Sequence, residues 1–94
     1  MKAAELYRDI TVAFGPDLKR KDINNGQSFF WKEQRIGPAS TRVLRVHEDA
    51  TGNVLEIKLP VTSNRTNTEA FIPLPASLDD VIVAIRREIE MLEQ

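Results

Sequence analysis

Hydrophobic and polar positions change period along this chain, and each change marks an element. Between residues 3 and 14, Ala3, Leu6, Tyr7, Ile10, Ala13 and Phe14 recur at helical spacing. Gly15-Pro16 then supplies a residue at ease with left-handed backbone and a helix breaker. The pattern predicts a helix over that span. A helix so short is marginal in water, so its apolar stripe needs a partner surface.

Residues 17–25 are polar and basic and end in Asn25-Gly26, a strong turn signal, with room for a short strand before it. From Gln27 to Ile36, aromatic and β-forming residues predict a strand. Its faces would be Phe29, Trp31, Glu33, Arg35 and Phe30, Lys32, Gln34, Ile36. Neither face is cleanly polar, so alternation alone leaves the buried side of this strand open. Gly37-Pro38 ends it.

Arg42 to Glu48 and Val54 to Val61 both alternate around Asp49-Ala50-Thr51-Gly52, the signature of a hairpin. A four-residue loop sets Leu44 against Ile57 and Val46 against Leu55 on the buried side, Arg45 against Glu56 on the exposed side, and His47 against Val54. A five-residue loop would oppose Val46 to Glu56, turning one apolar set toward solvent. Residues 62–68 contain no apolar side chain and are expected to form a mobile surface loop. Glu69 to Leu74 reads as an edge strand, because Pro73 lacks the amide a central strand requires.

The last segment, Ser77 to Glu93, carries the clearest signal. Leu78, Val81, Ile82, Ile85, Ile89 and Leu92 fall within roughly a 100° arc at helical periodicity. Ser77 is a capping residue, with Asp80 three positions on and Asp79 and Asp80 where the helix dipole favours negative charge. Glu90 and Glu93 lie at the end where it opposes them. The predicted fold is a single α+β domain over 1–94. It has an N-terminal helix, an antiparallel meander of three to four strands and a C-terminal amphipathic helix, with both helices on one face of the sheet.

Composition narrows the chemistry. The chain has no cysteine, which excludes disulfides, thiolate metal sites and cysteine nucleophiles, and fits a cytoplasmic setting. Glu5, Arg8 and Asp9 interrupt the first segment, so no leader-like or membrane-spanning run is expected. His47 is the only histidine and finds no second His or Cys to share a metal. Glu48-Asp49 and Asp79-Asp80 already have turn and capping roles, the glycines sit in turns, and no serine lies in an elbow motif. No catalytic residue, metal site or cofactor is predicted, and the chain reads as a non-enzyme.

Charge then separates two binding readings. Residues 18–47 carry seven Lys or Arg against two acids, and residues 48–94 carry four against nine, under a net charge of only −1. The halves can neutralise each other, meet between subunits, or leave a basic face for a polyanion. The first reading is a protein-binding, self-associating module of adaptor, inhibitor or immunity type. Its interface would be the second, weakly apolar side of the last helix: Val83, Ala84, Arg87 and Met91. The alternative is a single-stranded nucleic-acid binder, with Phe29 and Trp31 as stacking platforms beside Lys32, Arg35, Arg42 and Arg45. Strands followed by one helix, over about residues 27–92, resemble in order the Pur-type modules that bind single-stranded DNA. The resemblance is one of element order and implies the second reading.

Overall fold

The computed structural model describes residues 1–33, 40–59 and 70–92. Helix α1 spans Ala3–Phe14, β1 Lys19–Ile23, β2 Gln27–Glu33, β3 Ser40–Glu48, β4 Val54–Leu59, β5 Ala70–Phe71 and α2 Leu78–Leu92. The expected strand positions 34–36, 60–61 and 69, the polar loop 62–68 and the helix end at Glu93 lie outside the described residues. Gly15 stops α1 at a φ of 61° with its amide on the Thr11 carbonyl, as the Gly-Pro pair predicts. Helix α2 opens on a reciprocal cap. The Asp80 amide donates to Ser77 Oγ at 3.1 Å, and the Ser77 amide donates to Asp80 Oδ2 at 3.4 Å.

The strands form one antiparallel meander in the order β1-β2-β3-β4-β5. The basic stretch before Asn25-Gly26 becomes β1, an edge strand with every residue exposed. Its Lys19, Arg20, Lys21 and Asp22 are the charges that keep an unpaired edge from recruiting another strand. The last strand is shorter than the expected 69–74. Ile72 adds one amide bond to the Ile57 carbonyl at 3.0 Å, and the ladder ends there because Pro73 has no amide to donate.

Both helices lie on the same face of the sheet, α1 against α2 and α2 against β3. Leu6 and Ile10 from α1, Phe30, Leu44, Val46 and Ile57 from the strands, and Val81 and Ile85 from α2 meet in one cluster. Each is at most 2 % exposed, and a side chain buried so fully contributes about 1.5–3 kcal/mol. Tyr7 packs its ring on Phe30 at 5.5 Å between centroids. Phe30 thus decides the side of β2 that alternation left open.

The β3–β4 register differs from the expected one by two positions. Val46 pairs with Ile57 and His47 with Glu56, so Leu55 does not face Val46, Glu56 does not face Arg45, and Val54 does not face His47. The loop holds five residues, since Glu48 pairs with Val54, and a bulge between His47 and Glu48 restores parity by making Leu55 the extra residue. Leu55 is left 54 % exposed. Asp49 holds this turn. Its Oδ1 accepts from the Thr51 amide, the Thr51 hydroxyl and the Asn53 amide at 2.9, 2.7 and 2.9 Å. The chain start is pinned to the same turn, the Ala3 amide donating to the Gly52 carbonyl and the Val54 amide to the Met1 carbonyl.

A second irregularity lies between β2 and β3. Phe30 pairs with Leu44 but Trp31 with Arg42, so Val43 is extra. Simple alternation would set Val43 apart from Leu44, yet both are fully buried. The bulge is the reason: it puts two β3 residues against one on β2.

Candidate nucleic-acid interface

Alternation along each strand sends the neighbours of the core residues to the face that carries no helix among the described residues. The register aligns them in rows that cross the sheet. In the central row Lys21 pairs with Phe29, Phe29 with Arg45, Arg45 with Lys58, and Lys58 with Phe71, one residue from each strand. On one side of it runs Lys19, Trp31 and Arg42. On the other runs Ile23, Gln27, His47 and Glu56. Lys19, Lys21 and Phe71 are exposed, and Phe29, Trp31, Arg45, His47 and Lys58 are half-buried.

The central row alternates cations and aromatic rings. The Arg45 guanidinium sits 5.1 Å from the Phe29 ring centre and the Lys58 ammonium 5.3 Å from that of Phe71. Such contacts hold a cation over the negative face of a ring and contribute about 0.5–1 kcal/mol at exposed sites. Arg45 and Lys58 are also direct cross-strand partners, and like charges so placed repel. Glu56 relieves this in part, with Oε1 3.3 Å from Lys58 Nζ. The arrangement sets two cations side by side at the middle of a partly aromatic face, with one carboxylate on Lys58.

The structure brings Phe29, Trp31 and Arg45 together on this face and places Arg42 opposite Trp31; the Arg42 side chain and Arg35 lie outside the described residues. Lys32 is not with them, because it shares the pleat side of Phe30. Lys21, one of the basic residues of the 18–47 stretch, joins the row with Lys58 and Phe71, neither of which the sequence singled out. Lys58 was detectable, since it alternates with the apolar Ile57 in a predicted strand. Phe71 was not, because its place beside Lys58 depends on pairing between strands joined by a long connection.

The helix side carries other features. On α2, Val83 and Arg87 are exposed and Ala84 is half-buried, whereas the Met91 side chain lies outside the described residues. Val12 of α1 is 80 % exposed. Glu88 is buried at the margin of the α2 stripe, and its Oε2 has no hydrogen-bond partner among the described residues. Along α1, Arg20 stacks 4.3 Å over the Tyr7 ring and grips Asp22 through Nε and Nη2 at 2.9 and 3.0 Å. Those bonds, with one from the Ser28 hydroxyl at 2.7 Å, hold the Asp22 carboxyl below its ordinary value. Burial pushes the Tyr7 phenol up. A shallow groove beside this cluster, lined by Lys2, Glu5, Arg8, Arg20 and Glu48, mixes both charge signs and selects no one ligand chemistry. Among the described residues, no helix is long and apolar enough to cross a membrane.

Comparison with known proteins adds nothing to this geometry, for no family model, curated protein or solved structure matches the chain.

Proposed function

We propose that the helix-free face of the sheet binds single-stranded nucleic acid. The observation that carries this reading is the row Lys21, Phe29, Arg45, Lys58, Phe71, in which two cations lie side by side with an aromatic ring beyond each. Phosphates meet the cations, and unpaired bases stack against the aromatic rings, a pairing of forces that tolerates any sequence. A duplex hides its base faces in its own stack, so the surface favours single strands.

Trp31 is the only tryptophan and is half-buried beside the row, so its fluorescence reports on the face. Titration with oligothymidylate and oligouridylate is expected to quench it. Anisotropy of a labelled oligonucleotide should give an affinity that falls steeply with salt, because each neutralised phosphate releases counterions. No binding of either polymer at low salt would remove the reading.

The reading as a protein-binding, self-associating module is supported by a separate observation, the exposure of Val12 and Val83 at 80 % and 49 % on the helix side. Light scattering during size-exclusion chromatography is expected to show concentration-dependent association that Val12→Ser or Val83→Ser weakens. A strict monomer at high concentration would exclude it.

A further inference from the structure

Resting on the nucleic-acid reading, the geometry points to a path: the bound strand crosses the β-strands over the central row, its phosphates on Lys21, Arg45 and Lys58 and its bases turned toward Trp31. Three observations point to that path. The first is the cross-strand alignment itself, since Lys21, Arg45 and Lys58 come from β1, β3 and β4 yet occupy one row. At about 4.8 Å per strand spacing, they span about 14 Å. A phosphodiester backbone laid along β1 instead would meet Lys19 and Lys21 and then the apolar Ile23.

The second is the direct opposition of Arg45 and Lys58, each leaning on its own ring. Like charges at facing positions of neighbouring strands repel, and a phosphate on each relieves that repulsion. The third is the difference between the two flanking rows. On the hairpin side, the His47–Glu56 pair brings a carboxylate that repels phosphate. On the other side stands Trp31, an indole half-buried between the Lys19 and Arg42 positions, with no acid paired to it in that row. It lies about 7 Å from Phe29 along the strand, two residues at the rise of an extended chain. Backbone over the central row and bases toward Trp31 keep the bases off the His47–Glu56 flank, and a phosphate on Lys58 displaces the Glu56 carboxylate that lies 3.3 Å from its Nζ.

Three cations meet at most three phosphodiesters, and a tetranucleotide without terminal phosphates supplies three. The site is therefore four nucleotides long. Across oligothymidylates from two to eight residues, affinity is expected to climb to the tetranucleotide and afterwards to rise only by the number of equivalent placements. The dependence of log affinity on log salt should have a slope of about −2, three phosphates at about −0.7 each for single strands.

Arg45→Met and Lys58→Met are each expected to reduce that slope by about 0.7 and weaken binding several-fold. Their urea-unfolding midpoints serve to separate lost contacts from lost fold. Trp31→Leu should weaken binding without changing the slope. Gln27→Ala and His47→Ala, on the opposite flank, should leave affinity and slope as they are. If affinity keeps climbing steeply to the octanucleotide, the crosswise path is wrong while the nucleic-acid reading stands. The same holds if Lys19→Met and Lys21→Met abolish binding and the well-folded Arg45→Met and Lys58→Met variants bind normally. Absence of binding at every length at low salt overturns both.

Discussion

The two faces of this sheet are built from alternate residues of the same strands, yet they obey different physics. Toward the helices, Phe30, Leu44, Val46 and Ile57 are removed from water, and their contribution comes from area, without regard to direction. On the other face Phe29, Trp31, Arg45 and Lys58 stay half-exposed, and ring meets cation at defined distances. One step along β2, from Phe29 to Phe30, moves an identical side chain between these regimes. The residue type therefore says little about the role, and the pleat side says nearly everything. A face of the second kind keeps rings and charges in partial contact with solvent, which is what a surface needs if it is to exchange water for a ligand.

The comparison can be broken most forcefully by truncation on both sides. Leu44→Ala should cost about 2–5 kcal/mol in urea unfolding, the usual range for emptying a packed core site. Phe29→Ala should cost about 1 kcal/mol, because it removes a cation–ring contact and a half-buried surface. Equal losses would mean that both faces are core. Ser77→Ala tests whether the faces are independent. Loss of the reciprocal cap should cost about 1 kcal/mol of stability through α2 and leave oligonucleotide affinity unchanged.

A finer test lies within the helix-free face. A double-mutant cycle on Arg45 and Lys58, each replaced by Met, should return a repulsive coupling of about 0.2–1 kcal/mol in the free protein. Bound oligonucleotide should cancel or reverse it. A favourable coupling in the free protein would contradict the like-charge description. The smallest effect concerns the turn that sets the β3–β4 register. Hydrogen bonds from the Thr51 hydroxyl and the Asn53 and Thr51 amides lower the Asp49 carboxyl from 3.8 to about 2. A carboxyl lowered on folding stabilises the fold fully above its unfolded value and loses that contribution as pH falls through its folded one. Asp49→Asn should therefore flatten a shallow decline in stability between about pH 4 and pH 2, followed by thermal unfolding, by lowering stability at neutral pH and leaving it little changed at about pH 2.

Much of the architecture was legible in the residues alone because its signals are local. Gly15-Pro16 ends α1, Ser77 and Asp80 begin α2, and the apolar stripe of α2 contains the buried Val81 and Ile85. Phe29, Trp31 and Arg45 could be chosen as one group because aromatic and basic residues are concentrated together in that stretch of the chain. The register of the central hairpin was misread for a physical reason. Counting loop residues and matching apolar pairs assumes an unbroken ladder, and the bulge that makes Leu55 extra changes the count by one. Glu88 escaped notice because periodicity sorts by residue type, and it is a charged residue on a buried arc.

By itself the sequence determined the order of the helices, the end of α1, the start of α2 and the place of the turn in the central hairpin. Those properties depend on neighbours within a few positions, where spacing and backbone preference act directly. Tertiary structure alone decided which side of β2 is core, which residues face each other, and that Lys21, Phe29, Arg45, Lys58 and Phe71 share one row. That row joins five strands, and its alignment follows from loop lengths and single-residue bulges, which no period in the chain encodes.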